Sequence, residues 1–247
     1  MDLLIINADD FGYSEGINLG ITAAHKKGIL TSTTMLANMP GFEHGVKIAK
    51  NNINLGIGVH LTLTCGSPLL EDVPSITNNN KFYPLSFYES DFYIDTDDVY
   101  REWQAQIEKI LLAGIKPTHL DSHHHVNRLE PIREVFIRLA EEYDLPVRNN
   151  FEVPSSLKTT SRFSLDFDQM AEDKEIWKPI KIKNLIQDCK AYHSVECMCH
   201  PGFIDQVVLD NSGLRDLRAY TCAELQNRKY KEMFEKNNIT LGNYGDI

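Results

Sequence analysis

The sequence predicts an α/β fold, a single-domain distorted (β/α) barrel of the TIM type. Short apolar runs alternate with amphipathic helical patterns some seven or eight times in 247 residues, as expected of such a barrel. A length of 247 residues suits one large domain, which we place over residues 1–247. A doubly wound open sheet is the alternative, but no GxGxxG sequence follows the first apolar run, so a dinucleotide site has little support.

The first quarter of the chain supplies two strand–helix units and a third strand. Residues 3–8 are continuously apolar, as expected of a strand covered on both faces. Ser14 then caps a helix that closes at Gly28. Residues 32–38 and 55–63 predict the next two strands, with a short helix between them.

Residues 65–94 interrupt this alternation. Proline, asparagine and aromatic residues replace the periodic pattern over a length that exceeds an ordinary connection. We therefore predict a lid or a substrate-binding loop, inserted after the third strand.

The rest of the chain resumes the alternation. A strongly amphipathic helix ends at Gly114, residues 117–122 predict a strand, and Pro131 begins the next helix. Later strand candidates are residues 146–150, 195–200 and 240–244. The pair Thr221 and Glu224 has the spacing of a capping box and predicts the start of the last long helix.

Composition and charge exclude several classes of function. The net charge of −10 leaves no basic surface for a phosphate backbone, so nucleic acid is not an expected partner. No apolar run is long enough to span a bilayer, and the N-terminus lacks the features of a secretory signal. The five cysteines have no paired framework spacing, which indicates reduced thiols. We predict a cytoplasmic protein without a membrane partner.

Acidic and imidazole side chains stand at the ends of four predicted strands. Asp9 and Asp10 close the first strand, His60 lies near the end of the third, and His200 ends a later one. The fourth is the segment THLDSHHHVN at 118–127, which holds four of the nine histidines. Because the carboxyl ends of barrel strands meet at one mouth, we expect these groups to converge there.

Alternation sorts the side chains of this histidine-rich segment. Positions two apart share a face of a strand, so His119, Asp121 and His123 point the same way and His124 points away from them. We interpret His119 and Asp121 as deeper supports, since a carboxylate often holds a ligating imidazole. His125 lies in the following loop, near the site, where it could contact substrate.

Together these groups match the inventory of a metal-dependent hydrolase. A catalytic divalent metal is typically held by three histidine or carboxylate ligands, with a position left open. A spare carboxylate can take a proton from water, and a separate histidine can protonate a leaving group. The four strand ends supply candidates for every one of these roles.

Four motifs, NADDFG, GVHLTLT, THLDSHHHVN and MCHPGF, resemble those of the YdjC-like carbohydrate deacetylases. The resemblance runs from Asn7 to the LGNY near the C-terminus. It implies removal of acetyl groups from N-acetylated sugars such as chitooligosaccharides, on a distorted barrel related to the NodB-type polysaccharide deacetylases. It also implies a small carbohydrate substrate, a divalent metal described as Mg²⁺, and a homodimer.

The resemblance assigns roles by motif. It implies three metal ligands: Asp10, His60 and His123. Asp9 is then the base and His200 the acid, and Arg148 of the PVRNN segment orients the base. The chain departs from the expected pattern at Asn127, where we expect a histidine; the amide of Asn127 can still donate and accept hydrogen bonds near the substrate. By ligand softness, two imidazoles and one carboxylate also suit Zn²⁺.

Two other functions fit the same residues. One is another metal-dependent hydrolase such as a phosphoesterase, which would favour a second metal beside His119 and Asp121. The other is a sugar-binding protein that keeps the fold without catalysis and binds sugar without a metal. Intact base and acid positions argue against this second alternative.

Overall fold

The computed structural model of this protein describes residues 2–167 and 181–247. The strands are β1 (Asp2–Phe11), β2 (Ser32–Met35), β3 (Gly56–Leu61), β4 (Thr77–Asn78), β5 (Lys81–Phe82), β6 (Leu120–Ser122), β7 (Arg162–Ser164), β8 (Ser194–Cys199) and β9 (Ile239–Gly242). The helices are α1 (Glu15–Lys27), α2 (Phe42–Lys50), α3 (Leu85–Tyr88), α4 (Thr96–Leu112), α5 (Ile132–Glu142), α6 (Ile182–Tyr192), α7 (Gln206–Asn211), α8 (Asp216–Leu225) and α9 (Arg228–Lys236). Three 3-10 helices cover Pro74–Ile76, His123–Arg128 and Tyr244–Asp246.

The main sheet is parallel throughout and has β1 at its centre. Its strands follow the order β6-β3-β2-β1-β8-β7, and β9 pairs with the first half of β1. The second half of that same edge of β1 pairs with β2, and the opposite edge pairs with β8. Residues 4–11 of β1 are buried, in agreement with the predicted strand that is covered on both faces.

The sheet curls into a half-barrel, which confirms the α/β class and is consistent with a TIM-like barrel. Isolated parallel bridges join Leu120 to Val147 and Val147 to Thr159, so hydrogen bonding continues past β6 toward β7. The carboxyl ends of the strands therefore face one mouth, where the polar groups of the sequence motifs lie.

Most predicted elements are present close to their expected bounds. The predicted strands at residues 3–8, 32–38, 55–63, 117–122, 195–200 and 240–244 correspond to β1, β2, β3, β6, β8 and β9. Ser14 caps α1 by accepting a hydrogen bond from the backbone N–H of Ile17. Gly114 follows α4 with a φ of +81°, the left-handed conformation that suits glycine after a helix.

Two predicted elements are wrong. Residues 146–150 do not form a strand beyond the bridge at Val147, because the N–H of Asn150 turns back to the carbonyl of Arg148. Thr221 and Glu224 do not begin a helix; both lie inside α8, which starts at Asp216. The last helix, α9, begins later, after Asn227.

Residues 65–94 are not a plain loop. They hold a 3-10 turn, the β4–β5 hairpin and α3, and they are fastened to α4 through Glu102, which accepts hydrogen bonds from the N–H groups of Leu69 and Leu70 at 3.0 Å. Their aromatic rings pack on one another, with Tyr83 stacked on Phe87 at 4.0 Å between centroids. The lid function of this segment stays a prediction.

Within residues 2–167 and 181–247, no helix combines the length and the apolar character needed to cross a bilayer.

Candidate active site

An irregularity at the end of β1 directs two neighbouring carboxylates into one cavity. The pairing of β1 with β2 shifts register between Ala8 and Phe11, and Asp10 has a φ of +71°. In a regular strand Asp9 and Asp10 would point to opposite faces. Bulges and left-handed residues redirect side chains in this way, often at functional sites.

Asp10, His60 and His123 form a tight cluster at the mouth. Asp10 Oδ1 lies 3.0 Å from His123 Nδ1 and 3.6 Å from His60 Nε2. The two imidazole nitrogens are 3.3 Å apart, and one ligand atom from each residue falls within 4.8 Å of the others. All three side chains are buried.

This cluster fits a divalent cation. Asp10 Oδ1 is buried and accepts no hydrogen bond of good geometry from the described part of the chain. A buried carboxylate oxygen without a well-formed hydrogen bond is unfavourable unless something positive faces it. A cation held by one carboxylate oxygen and two imidazole nitrogens would satisfy it, and this is a familiar ligand set.

His60 is oriented by groups behind it. Its Nδ1 lies 2.7 Å from Asp121 Oδ1 and 3.1 Å from Thr34 Oγ1, which leaves Nε2 facing the cluster. His60 and Asp121 are paired in register across β3 and β6, so both side chains stand on the same face. A carboxylate behind a ligating imidazole fixes the ring and raises its basicity.

Arg148 holds Asp9 in a two-point ion pair. Its Nη1 and Nη2 lie 2.9 Å and 2.6 Å from the two oxygens of Asp9. Nη2 also lies 2.7 Å from Asp121, and Nε donates to Glu196 at 2.9 Å. One fully buried guanidinium thus joins three carboxyl groups that come from three different strands.

Below Arg148 the network ends in two stacked rings. Tyr244 donates its hydroxyl to Glu196 Oε2 at 2.5 Å, and its ring stacks on His119 at 3.9 Å between centroids. His119 therefore lies below the ligand cluster and away from the cavity. Burial lowers the pKa of His119 to about 3, so the ring is neutral.

Arg218, from α8, reaches Asp10 from the other side. Its Nη2 lies 2.6 Å from Asp10 Oδ2, and its Nε donates to the carbonyl of Leu214 at 2.9 Å. Arg218 is 2% exposed. Each of the two adjacent aspartates therefore has its own arginine.

The predicted alternation fails after Ser122. The chain enters a 3-10 turn in which His124 and His125 both have a φ of +55°, so His124 does not point away from His123. The rings of His123 and His124 are 3.9 Å apart, and both line the cavity. His124 Nδ1 lies 2.9 Å from Thr64 Oγ1. Our interpretation of His124 as a residue directed elsewhere is wrong, because strand periodicity ends where β6 ends.

Asn127 braces this turn. Its side-chain oxygen accepts from Ser122 Oγ at 2.7 Å, and its amide donates to Asn150 Oδ1 at 2.9 Å. Asn150 in turn contacts His125 Nδ1 at 3.0 Å. Asn127 is fully buried, which places it behind the histidines that border the cavity.

A cavity of about 450 Å³ opens above these groups. Asp9, Asp10 and the run His123, His124 and His125 line one side of it, and residues 211–214 line another. His200 also lines it, with Nε2 3.9 Å from Asp9 Oδ2. Base and acid candidates therefore lie close together beside the ligand cluster.

The charges of the site explain its protonation. Burial acts to raise the pKa of Asp10, but Arg218 and His123 outweigh it and hold that pKa well below its usual range. Burial acts likewise on Asp9, where Arg148 and His60 keep the pKa far below normal. Both carboxylates are thus ionised at neutral pH. Burial lowers the pKa of His125 to about 4, so that ring is neutral.

Three of these groups were not identified from the sequence. Arg218, Glu196 and Tyr244 complete the network from α8, β8 and the C-terminal turn. Glu196 could have been suspected, because it is a charged residue inside an otherwise apolar strand, SVECMC. Arg218 lies on an ordinary helix and carries no comparable signal.

Comparisons with known proteins agree over nearly the whole chain. A family model described as YdjC-like protein matches residues 3–233. Carbohydrate deacetylases from Clostridium beijerinckii and Brevibacillus brevis are each 38% identical to this chain, over alignments that cover 99% of both sequences. A carbohydrate deacetylase from Halalkalibacterium halodurans is 42% identical over 85% of this chain and 89% of its own length.

Solved structures support the same architecture. A crystal structure from Enterococcus faecalis, named as that of a candidate cellobiose-phosphate cleavage protein, has a TM-score of 0.86 and 32% identity. The match covers 99% of this chain and 98% of the other. A lactam utilization protein from Thermus thermophilus has a TM-score of 0.54 at 13% identity, covering 98% and 99% of the two chains, and is similar in fold alone.

Proposed function

The chain belongs to the YdjC-like protein family and is an enzyme, and we propose that it is a metal-dependent hydrolase that removes acetyl groups from N-acetylated sugars. The carbohydrate deacetylases among its relatives support the deacetylase activity. The observation that carries the proposal is the convergence of Asp10, His60 and His123 beside the pair Asp9 and His200.

We assign the divalent metal to Asp10, His60 and His123. The excess of buried carboxyl groups over guanidinium groups favours a cation at this position. When bound, a divalent cation would polarise the amide carbonyl and lower the pKa of a water molecule. Mg²⁺ agrees with the family resemblance, whereas the two imidazoles suit Zn²⁺.

The side chains around the cluster perform the proton transfers. Asp9 takes a proton from the attacking water, and the resulting hydroxide adds to the carbonyl carbon. His200 then donates a proton to the nitrogen as the C–N bond breaks and acetate leaves. Arg148 keeps Asp9 ionised and fixes the direction of its Oδ2, which lies 3.9 Å from both His60 Nε2 and His200 Nε2.

We propose a chitooligosaccharide-type substrate, for which the structure offers room beside the first cavity. A second cavity, also about 450 Å³, shares Tyr13, Thr64 and Cys65 with the first. Lys81 and Phe82 from the 65–94 segment line it. This supports a substrate-binding function for that segment. A homodimer and a cytoplasmic location remain predictions.

A two-metal phosphoesterase is less well supported. A second group of potential ligands, Asp9, His60 and Asp121, lies within 4.8 Å. However, Arg148 Nη2 lies 2.6 Å from Asp9 and 2.7 Å from Asp121, so a guanidinium already neutralises this position. A cation placed there would meet a fixed positive charge.

Three variants test the assignment by metal content and by release of acetate from N-acetylglucosamine oligomers. We expect D10N and H123Q to lose both bound metal and turnover. D9N should retain metal yet lose turnover by about 10²–10⁴-fold, the usual contribution of a general base. His193 is exposed and pairs with Asp2 at 2.9 Å, so H193Q is the matched control and should change neither quantity. Unchanged turnover in D10N or H123Q would refute the ligand assignment.

A further inference from the structure

Asp10 presents its two oxygens to different partners. Oδ1 faces His123 Nδ1 at 3.0 Å and His60 Nε2 at 3.6 Å. Oδ2 lies 2.6 Å from Arg218 Nη2. The guanidinium therefore occupies one carboxylate oxygen and leaves the other one for the cluster.

Arg218 also joins the two segments that border the cavity. Its Nε donates to the carbonyl of Leu214 at 2.9 Å, on the wall formed by residues 211–214. Its own carbonyl accepts from the N–H of Gly202 at 3.2 Å, two residues beyond His200. One residue in the first turn of α8 thus contacts the ligand carboxylate, the cavity wall and the segment that carries the acid.

The placement of Arg218 is poorly explained by stability alone. Its side chain is 3% exposed, and Nη1 is buried without a hydrogen-bond partner among residues 2–167 and 181–247. A buried cation with an unsatisfied donor is a weak source of stability compared with apolar packing. This points to a task in the site.

We propose that Arg218 is a positioning residue for Asp10, an inference that rests on the proposed metal site. By holding Oδ2, Arg218 restricts Asp10 to a single ligating oxygen and fixes the direction in which that oxygen points. It does so from the same turn that anchors both edges of the cavity. The contact between Arg148 and Asp9 is different, because Arg148 binds both oxygens of that carboxylate.

The metal affinity of R218Q tests the proposal. Mg²⁺, Mn²⁺ and Zn²⁺ are each titrated by calorimetry into chelator-treated full-length protein. Loss of a residue that orients a ligand typically weakens metal binding about 10–100-fold, and we expect R218Q to fall in that range. R218K keeps the charge but loses the planar fork, so it should still bind metal more weakly than the wild type.

Arg215 provides the matched control. It is exposed and donates to the carbonyl of Ser212 in this wall at 2.9 Å, and to the carbonyl of Leu209, just before the wall, at 2.6 Å. R215Q loosens this wall and leaves the Asp10 contact in place, so its metal affinity should equal that of the wild type. Thermal denaturation in the presence of chelator checks that each variant is folded. If R218Q is not folded, the metal affinity of R218K tests the proposal in its place.

The outcomes separate this inference from the proposed function. Wild-type affinity in every folded Arg218 variant, or losses of equal size in R215Q and the folded Arg218 variants, would overturn the positioning role while the metal site stands. A wild-type protein that binds none of the three metals would overturn the proposed function and this inference with it.

Discussion

The candidate active site has a floor and a rim, and they are built differently. We call the floor the buried network of Arg148, Asp121, Glu196, Tyr244 and His119, and the rim the cavity border formed by His124, His125, His200 and residues 211–214. Floor residues lie mainly on or next to strands and are at most 1% exposed. The rim histidines follow strand ends, residues 211–214 lie at and after the end of α7, and two of the histidines have positive φ angles. The floor therefore sets charge and direction, whereas the rim borders the cavity.

The largest effect we expect comes from removing the charge at the centre of the floor. R148M leaves three buried carboxyl groups without their shared counter-ion. Breaking a buried ion pair on one side typically destabilises a protein by about 3–5 kcal/mol, and turnover should fall as well because Asp9 loses its orientation. Urea denaturation measures the first change and acetate release the second.

An apolar replacement at the rim provides the contrast for R148M. H200A removes a partly exposed side chain that lines the cavity, so it should lower turnover and leave the free energy of unfolding nearly unchanged. If R148M and H200A destabilise the protein equally, the distinction between floor and rim is lost.

Glu196 should give the floor a measurable pH dependence. Burial raises the pKa of Glu196 from 4.5 to about 7, although Arg148 opposes the shift. Because the folded protein holds this proton more tightly than the unfolded chain does, the contribution of Glu196 to stability is greatest below pH 4.5. It is lost as pH rises toward 7. A shift of this size corresponds to roughly 3 kcal/mol.

The variant E196Q isolates this contribution. Glutamine is close in shape and does not titrate, so the stability difference between wild type and E196Q should move against the wild type as pH rises from 4.5 to 7. Denaturant unfolding at several pH values, with chelator present in all samples, measures it. A constant difference across this range would contradict the pKa shift.

The same division explains what the sequence could predict. Alternation along strands brought Asp121 and His123 to one side and identified Asp9, Asp10, His60 and His200 as strand-end groups. The geometry there follows from local backbone periodicity, which the sequence displays. The sequence pattern could not show that the side chains of Asp9 and Asp10 both enter the cavity, because their directions depend on a register shift between β1 and β2. Nor could it reveal His124 beside His123, since the 3-10 turn abolishes the period of two.

Contacts between residues far apart in the chain also could not be predicted from the sequence. Arg218 reaches Asp10 across 208 positions, and Tyr244 reaches Glu196 across 48. Such pairs depend on how α8 and the C-terminal turn pack against the barrel. Residue type and spacing in the sequence do not predict that packing.

The smallest effect we expect concerns the strained backbone of the rim. His124 has a φ of +55°, a conformation that glycine adopts freely and a residue with a Cβ atom adopts at some energetic penalty. H124G should therefore be more stable than H124A by roughly 0.5–1 kcal/mol, even though glycine makes the unfolded chain more flexible. Both variants lose the contact of the ring with Thr64, so the comparison cancels the side chain and reports the backbone alone. Thermal or urea unfolding of the two proteins measures the difference.

If H124A proves more stable than H124G, the left-handed turn at His124 is not strained. If both variants also keep the turnover of the wild type, the ring of His124 has no part in the chemistry of the rim, and the strain at this position does not serve to present it.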